Sequence, residues 1–299
     1  MEYVPCNLCG ANQTDLWAIF DDFRIVKCKK CDLIYTNPRL NQEEVGKRYF
    51  TEKPEIIRRY DRLQDAEQIF FSQILDHLEY YKPNKGKILD VGCGNGNFIR
   101  LAKLRGWVPY GLDINVESKY ALEKDDIDVF VGSLELAPYD NGYFDVVITT
   151  STFQYVPNAA IFLKSVHRII KHDGLMSLIS IPNIYSLETR VARSDFLRAY
   201  HPVQARYYFS RKTLTELVEK CGFKVIHISC RGLGAFKPPI DYENDNNQED
   251  EVIMVSDGVS SSVQVASSIF KNAGNFVLNI LDLGLQFHCH ARPIKKDLC

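Results

Sequence analysis

No run of about 18 consecutive apolar residues occurs in this 299-residue chain, so a helical membrane span is not expected. The most apolar late stretch, Asn275 to Phe287, is interrupted by Asp282. The opening Met-Glu-Tyr-Val-Pro-Cys has neither a basic start nor an apolar core, so no secretory signal is expected either. Charge of one sign is also scarce: 36 Lys and Arg stand against 38 Asp and Glu, a net charge of −2. A general nucleic-acid binder needs an excess of bases to displace counterions from phosphates, and that class is disfavoured. Proline is limited to 12 positions, in keeping with a globular composition. The nine cysteines are an odd number and several sit in patterns suited to thiolates, which points to a reducing, cytoplasmic setting. What remains is an ordinary globular composition, 45% hydrophobic and 25% charged, with enough length for one large α/β domain plus a small module.

Four of the cysteines fall near the start as Cys6-x2-Cys9 and Cys28-x2-Cys31. Each Cys-x2-Cys turn offers two thiolates to one tetrahedral ion, and the intervening hairpin returns the second pair. Gly10 follows the first pair, where a knuckle turn favours a residue tolerant of positive φ. With cysteine at all four positions the ion has no open site for water, so a structural zinc ribbon is expected over residues 1–40. A helical linker or cap is expected over 41–85. From Ile56 the residues Tyr60, Leu63, Ala66, Phe70, Ile74 and Leu78 recur every three or four positions, which predicts a long helix ending at Lys82-Pro83-Asn84-Lys85-Gly86.

From Lys87 onward short apolar runs alternate with amphipathic ones. Strands are predicted at Lys87–Val91, Val108–Asp113, Val129–Val131, Phe144–Thr149, Leu175–Ile181 and Phe223–Ile228, with a last one at Leu285–Arg292. Helices are predicted at Phe98–Arg105, Val116–Lys124, Ala159–Ile170 and Leu214–Cys221, and Ser260–Leu283 also reads as helical. This rhythm implies a doubly wound, mostly parallel seven-stranded sheet over 86–299, with ligands at the carboxyl ends of its strands. Two segments break it: a lid at 183–209 and an acidic loop at 238–258, within which Asp241–Glu251 holds six acids and no base.

The first strand runs into Leu89-Asp90-Val91-Gly92-Cys93-Gly94-Asn95-Gly96. Alternating glycines let the backbone turn sharply and approach a ligand, while the following helix start offers free N–H groups. The spacing is Gly-x-Gly-x-Gly, not the Gly-x-Gly-x-x-Gly of a dinucleotide site. An acid two residues before the first glycine would repel pyrophosphate and attract an ammonium group. Asp113 closes the second strand, placed to accept from both hydroxyls of a ribose, and Ile114 could pack on an adenine face.

In these motifs the chain resembles the class I S-adenosylmethionine (SAM)-dependent methyltransferases, which have a Rossmann-like fold. The resemblance extends through Gly132-Ser133-Leu134-Glu135, Tyr143–Val147, Tyr155-Val156-Pro157, His167–Gly174 and Tyr208-Phe209-Ser210, from about Gly86 to Phe223. Cys28–Arg39 resembles a bacterial subgroup with a zinc ribbon ahead of this domain, whose members often act on sugars, lipids or secondary metabolites. The resemblance implies SAM as cofactor, with Asp90 near the methionine amino group and Gly92, Cys93, Gly94 and Gly96 wrapping the methionine portion. Asp113 and Ile114 would take the ribose and adenine, Ser133 and Leu134 would border adenine, and Thr150 the methionine moiety. Ser133 stands where an acid is common, and Gln154-Tyr155 where Glu-His is common.

Tyr155 and His201 are the candidate catalytic bases. Tyr155 reads alternatively as a pocket wall and His201 as a structural residue. Arg190, Arg193, Arg198 and Arg206 would suit an acidic substrate group if they converged, and a solvated face otherwise. His288 and His290 share one strand face, toward solvent or core. The expected activity is methyl transfer to a small molecule such as a sugar, sugar nucleotide or secondary metabolite. Two alternatives are an RNA methyltransferase gripping nucleic acid with its ribbon and a non-catalytic SAM-fold interaction protein. Residues 1–50 hold seven bases and seven acids, which disfavours the first; the intact glycine loop disfavours the second.

Overall fold

A computed structural model describes residues 1–45, 64–232 and 277–294. Strands β1 (Thr14–Phe20) and β2 (Phe23–Cys28) form a hairpin, and β3 (Ile34–Thr36) lies antiparallel to β2. Helix α1 (Gln64–Tyr81) precedes the alternating domain. The predicted start of this helix at Ile56, and most of Ser260–Leu283 and the whole acidic loop, lie outside the described residues. The domain continues with β4 (Lys87–Val91), α2 (Asn97–Leu104), β5 (Val108–Asp113), α3 (Val116–Glu123) and β6 (Asp128–Val131). Then come β7 (Phe144–Thr150), α4 (Ala159–Ile169), β8 (Ile170–Pro182), the short helices α5 (Leu187–Val191) and α6 (Arg193–Ala199), and β9 (Tyr207–Tyr208). Helix α7 (Arg211–Lys220), β10 (Phe223–Arg231) and β11 (Gln286–Pro293) complete it.

The seven-stranded sheet has the order β10-β11-β8-β7-β4-β5-β6 and is parallel except where β11 inserts. The doubly wound fold expected from the alternation is therefore present. Local signals explain its elements. Asn115 and Asn158 accept from backbone N–H groups at the starts of α3 and α4, and Ser210 with Thr213 forms a reciprocal capping box on α7. The central strand β7 is buried through Thr149, as the unbroken Phe-Asp-Val-Val-Ile run requires of a strand covered on both faces.

On one face Ile74, Leu75 and Leu78 of α1 pack with Phe98, Ile99 and Leu122. On the other, Leu163 and Val166 of α4 and Leu214 and Leu217 of α7 pack in one cluster with ribbon residues Leu8, Val26, Leu33 and Tyr35. Neighbouring strands β4 and β7 send their helices to opposite faces, so a crevice opens between them at the carboxyl edge.

Two features depart from the sequence expectation. Strand β8 begins at Ile170 rather than Leu175, because Asp173-Gly174 forms a bulge and not a turn. The register against β7 shifts between Phe144 and Val146, and a Cβ on Gly174 would lie 2.8 Å from the Lys171 carbonyl oxygen. The lid is also more than a cover. Its strand β9 pairs with β3, Ile34 opposite Tyr208 and Tyr35 opposite Tyr207, which makes the ribbon sheet four-stranded.

Candidate active site and cysteine centre

The glycine loop leaves β4 at the crevice. Gly92, Gly94 and Gly96 all have positive φ, at 82°, 51° and 82°. A Cβ on Gly92 would sit 2.3 Å from Thr152 Oγ1, and one on Gly96 would sit 2.2 Å from Leu122 Cδ2. At Gly94 a Cβ would meet nothing within 4 Å. The outer glycines are thus demanded by packing, and the middle one faces open space over which a ligand can lie.

Asp113 holds the loop in place. Its Oδ2 accepts from the Gly94 N–H at 2.9 Å and its Oδ1 from the Asn115 N–H at 2.9 Å. Each oxygen keeps a further lone pair, and the carboxylate is half-buried, so two hydroxyls can still be received there. Ile114 is exposed beside it at 53%. Asp90 differs sharply: it is buried, and its Oδ1 has no hydrogen-bond partner. Burial, reinforced by the Asp113 charge, pushes its carboxyl up to about 8. A cationic group at the loop would supply the missing partner and favour the ionised form, so Asp90 fits the ammonium end of SAM.

Other loop and strand-end positions surround the same crevice. Cys93 is buried with its Sγ beneath Gly111, and Leu134 is buried in the core, while Ser133 is half-buried. Thr149 Oγ1, Thr150 Oγ1 and Gln154 Oε1 are buried without partners. Sequence reasoning named Thr150 and passed over Thr149 and Gln154. The signal available was the departure from Glu-His at Gln154-Tyr155.

The two base candidates lie apart from these orphaned atoms in their contacts. Tyr155 packs against the cluster of Ile25, Ile34, Phe196 and Tyr208, and its carbonyl accepts from Arg206. His201 has both ring nitrogens engaged. Its Nδ1 accepts from the Val203 N–H at 3.2 Å, and its Nε2 then carries the proton toward Asp21 Oδ2 at 2.9 Å. Phe20 and Phe23 flank the ring, so it is fastened to the β1–β2 hairpin.

The four lid arginines do not converge. Arg190 donates to the Tyr185 carbonyl, Arg193 stacks on Trp17 at 4.6 Å, and Arg198 pairs with Asp195 at 3.1 Å. Arg206 is buried and donates to the Leu40 carbonyl and Gln42 Oε1, while its N–H donates to the Gln154 carbonyl. Burial pulls its guanidinium down to about 10.

The Sγ atoms of Cys6, Cys9, Cys28 and Cys31 lie within 4.8 Å of one another. The pairs Cys6–Cys31 and Cys9–Cys28 are 3.4 and 3.5 Å apart. A zinc ion with bonds of about 2.3 Å sets sulfur–sulfur edges of about 3.8 Å, so the cluster fits one tetrahedral ion. Both knuckles use the same backbone device. Gly10 and Asp32, each following its second cysteine, have positive φ and donate to the carbonyls of Cys6 and Cys28. Burial pushes the Cys6 thiol up to about 11 and the Cys31 thiol higher still, the condition of sulfur without a cation. A divalent ion would reverse that preference and hold thiolates.

A family model for a methyltransferase domain matches residues 62–228. Among curated relatives, the demethylmenaquinone methyltransferase of Roseiflexus castenholzii is 25% identical over 178 residues, 51% of this chain and 74% of its own. Among solved structures, a SAM-dependent methyltransferase from Archaeoglobus fulgidus matches with TM-score 0.50 and 20% identity, over 76% of this chain and 93% of its own. The Burkholderia thailandensis 1,6-didemethyltoxoflavin-N1-methyltransferase, solved with its acceptor and S-adenosylhomocysteine, matches with TM-score 0.54 and 13% identity, over 94% and 100%. At these identities the two structures speak for the fold. No helix among the described residues is long and apolar enough to cross a membrane.

Proposed function

The chain belongs to the SAM-dependent methyltransferases that carry this domain, and from that premise we propose that its acceptor is a small molecule, a sugar, sugar nucleotide or secondary metabolite. One observation supports the acceptor class: three of the five bases of the ribbon are paired within the protein. Lys27 pairs with Asp32 at 3.0 Å, Lys29 with Asp15 at 2.9 Å, and Arg39 turns inward to Glu2 and the Tyr207 hydroxyl. A nucleic-acid grip would need such cations directed outward. The Roseiflexus relative, named for a small-molecule acceptor, agrees with this reading.

SAM, when bound, supplies a methyl group on a sulfonium that is already a good leaving group. In this proposal Asp90 receives the ammonium, Asp113 the ribose hydroxyls, and the Gly92–Gly96 backbone with Cys93 and Thr150 the methionine portion. Ile114, Ser133 and Leu134 border the adenine. The chain aligns acceptor and donor along one axis and excludes water, a contribution that can supply much of the rate acceleration. His201 fastens the lid to the ribbon in this scheme, and Tyr155 is a wall, so neither removes a proton. The four cysteines hold one structural zinc.

Incubation of the protein with labelled SAM and fractionated cell extract tests the acceptor class. Label in low-molecular-weight metabolites is the expected result. Label confined to RNA or to protein would overturn it.

A further inference from the structure

Four of the seven histidines gather on the α1 face of the sheet, at the edge where β10 and β11 pair. His77 comes from α1, His227 from β10, and His288 and His290 from β11. The ring centroids of His77, His227 and His290 are 5.9 to 6.3 Å from one another. His77 and His290 border a shallow, half-open cleft lined also by Phe70, Gln73 and Ile74 of α1 and by Arg231 and His288 of the sheet, with His227 beside it. His288 and His290 are buried, a finding the sequence left undecided between solvent and core.

Among the described residues the charges at this cleft do not balance. Arg231 has no carboxylate partner among the described residues. The acid facing His77 is Asp76, which is bonded to Arg105 at 2.7 Å. From α7, Arg211 faces His227, and its own charge is met by Asp282 at 2.5 Å. From β8, neutral Ser177 meets His290 Nδ1 at 2.8 Å. The other three imidazoles have no hydrogen-bond partner among the described residues. Burial, with Arg231 adding repulsion, pulls His288 and His290 down to about 3 and lowers His77 and His227 as well. A metal ion is a poor occupant, because Arg231 would repel it and because the four ribbon cysteines are the one metal-holding cluster among the described residues.

We propose that this cleft binds a small oxyanion, a phosphate or carboxylate group, through the Arg231 guanidinium and the N–H groups of the surrounding imidazoles. Such a group supplies the negative charge that the described residues of the cleft lack and accepts from donors that have no acceptor among them. The site is separate from the glycine loop. Strand β11 lies three places from β4 in the sheet, about 14 Å at the usual strand spacing. The inference therefore stands whichever acceptor is methylated.

Calorimetric titration of the full chain with sulfate, which does not titrate between pH 6 and 8, is the direct test. One saturable site is expected, with neutral imidazole N–H groups and the Arg231 guanidinium as donors. Arg231→Gln should weaken sulfate binding at least tenfold while leaving SAM affinity and the unfolding midpoint unchanged. Parallel titrations with inorganic phosphate and with acetate distinguish the two ligand kinds by which binds more tightly. Absence of saturable binding by all three anions would overturn the proposal. So would equal sulfate affinity in wild type and Arg231→Gln.

Discussion

Replacing Asp90 by asparagine isolates a single ionisation. The side chain is 3% exposed and its Oδ1 has no partner, so the amide keeps the shape and the unsatisfied oxygen while removing the charge. The folded carboxyl sits at about 8, against an ordinary value of 3.8. Between those values the folded chain holds a proton that the unfolded chain has released. Stability therefore falls as pH rises through that window, by up to about 1.4 kcal/mol per unit. The asparagine variant has no such loss. Urea unfolding without SAM at pH 5, 6 and 7 should show the variant gaining on wild type by about 2–3 kcal/mol across the range. Burial is the larger cause of the shift and the Asp113 charge the smaller, so Asp113→Asn should reduce the effect without abolishing it. A gap between wild type and Asp90→Asn that stays constant with pH would refute the reasoning. SAM reverses the ranking: an ammonium at Asp90 favours its ionised form, so the variant should bind SAM more weakly although it is the more stable apoprotein at pH 7.

Metal analysis of the purified chain should find close to one zinc per molecule, and Cys9→Ser should lower both zinc content and solubility; a folded, metal-free ribbon would contradict the assignment. Asp113→Ala should weaken SAM binding by about 1–3 kcal/mol in a calorimetric titration, because it removes both a ribose acceptor and the tether to Gly94. Tyr155→Phe and His201→Ala should retain turnover within about tenfold of wild type, whereas loss of a general base costs about 100-fold or more. A 100-fold fall in kcat for either variant, with SAM affinity intact, would restore that residue as the base.

The parts of the fold legible in the sequence are those whose signals are local. The glycine spacing, the run Phe144–Thr149 and the two cysteine knuckles each declare their geometry within a few residues, and the structure places them as read. Pairing of β3 with β9 was not legible, because it joins Tyr35 to Tyr207 across the chain through a two-residue strand. The Asp173-Gly174 bulge reads as a turn until the partner strand shows that pairing continues on both sides. At the candidate site, residues could be named from the sequence but their environment could not. Asp90 could be named from its spacing to Gly92, but its full burial depends on neighbours from other strands. His201 could be named as a candidate, yet only the approach of Asp21 and Val203 shows that its nitrogens are already engaged.

The contacts between ribbon and lid bear on how a structural metal can matter to catalysis. Thr36 donates to the Ala205 carbonyl at 2.8 Å, and Asn7 accepts from the Tyr207 hydroxyl at 2.7 Å. His201 reaches Asp21, and Arg206 holds Leu40, Gln42 and the exit of β7 together. His201, Ala205, Arg206, Tyr207 and Tyr208 of the lid are thus bonded to the ribbon, and through Arg206 the pair is bonded to Gln154 and Tyr155. A lid so tied has little freedom to move while the ribbon stays folded. If the four cysteines hold the proposed zinc, its removal should release the lid and the β7 exit together. The expected kinetic signature is lost alignment, with turnover falling more than SAM affinity, because the glycine loop and Asp113 take their positions from the sheet and not from the ribbon.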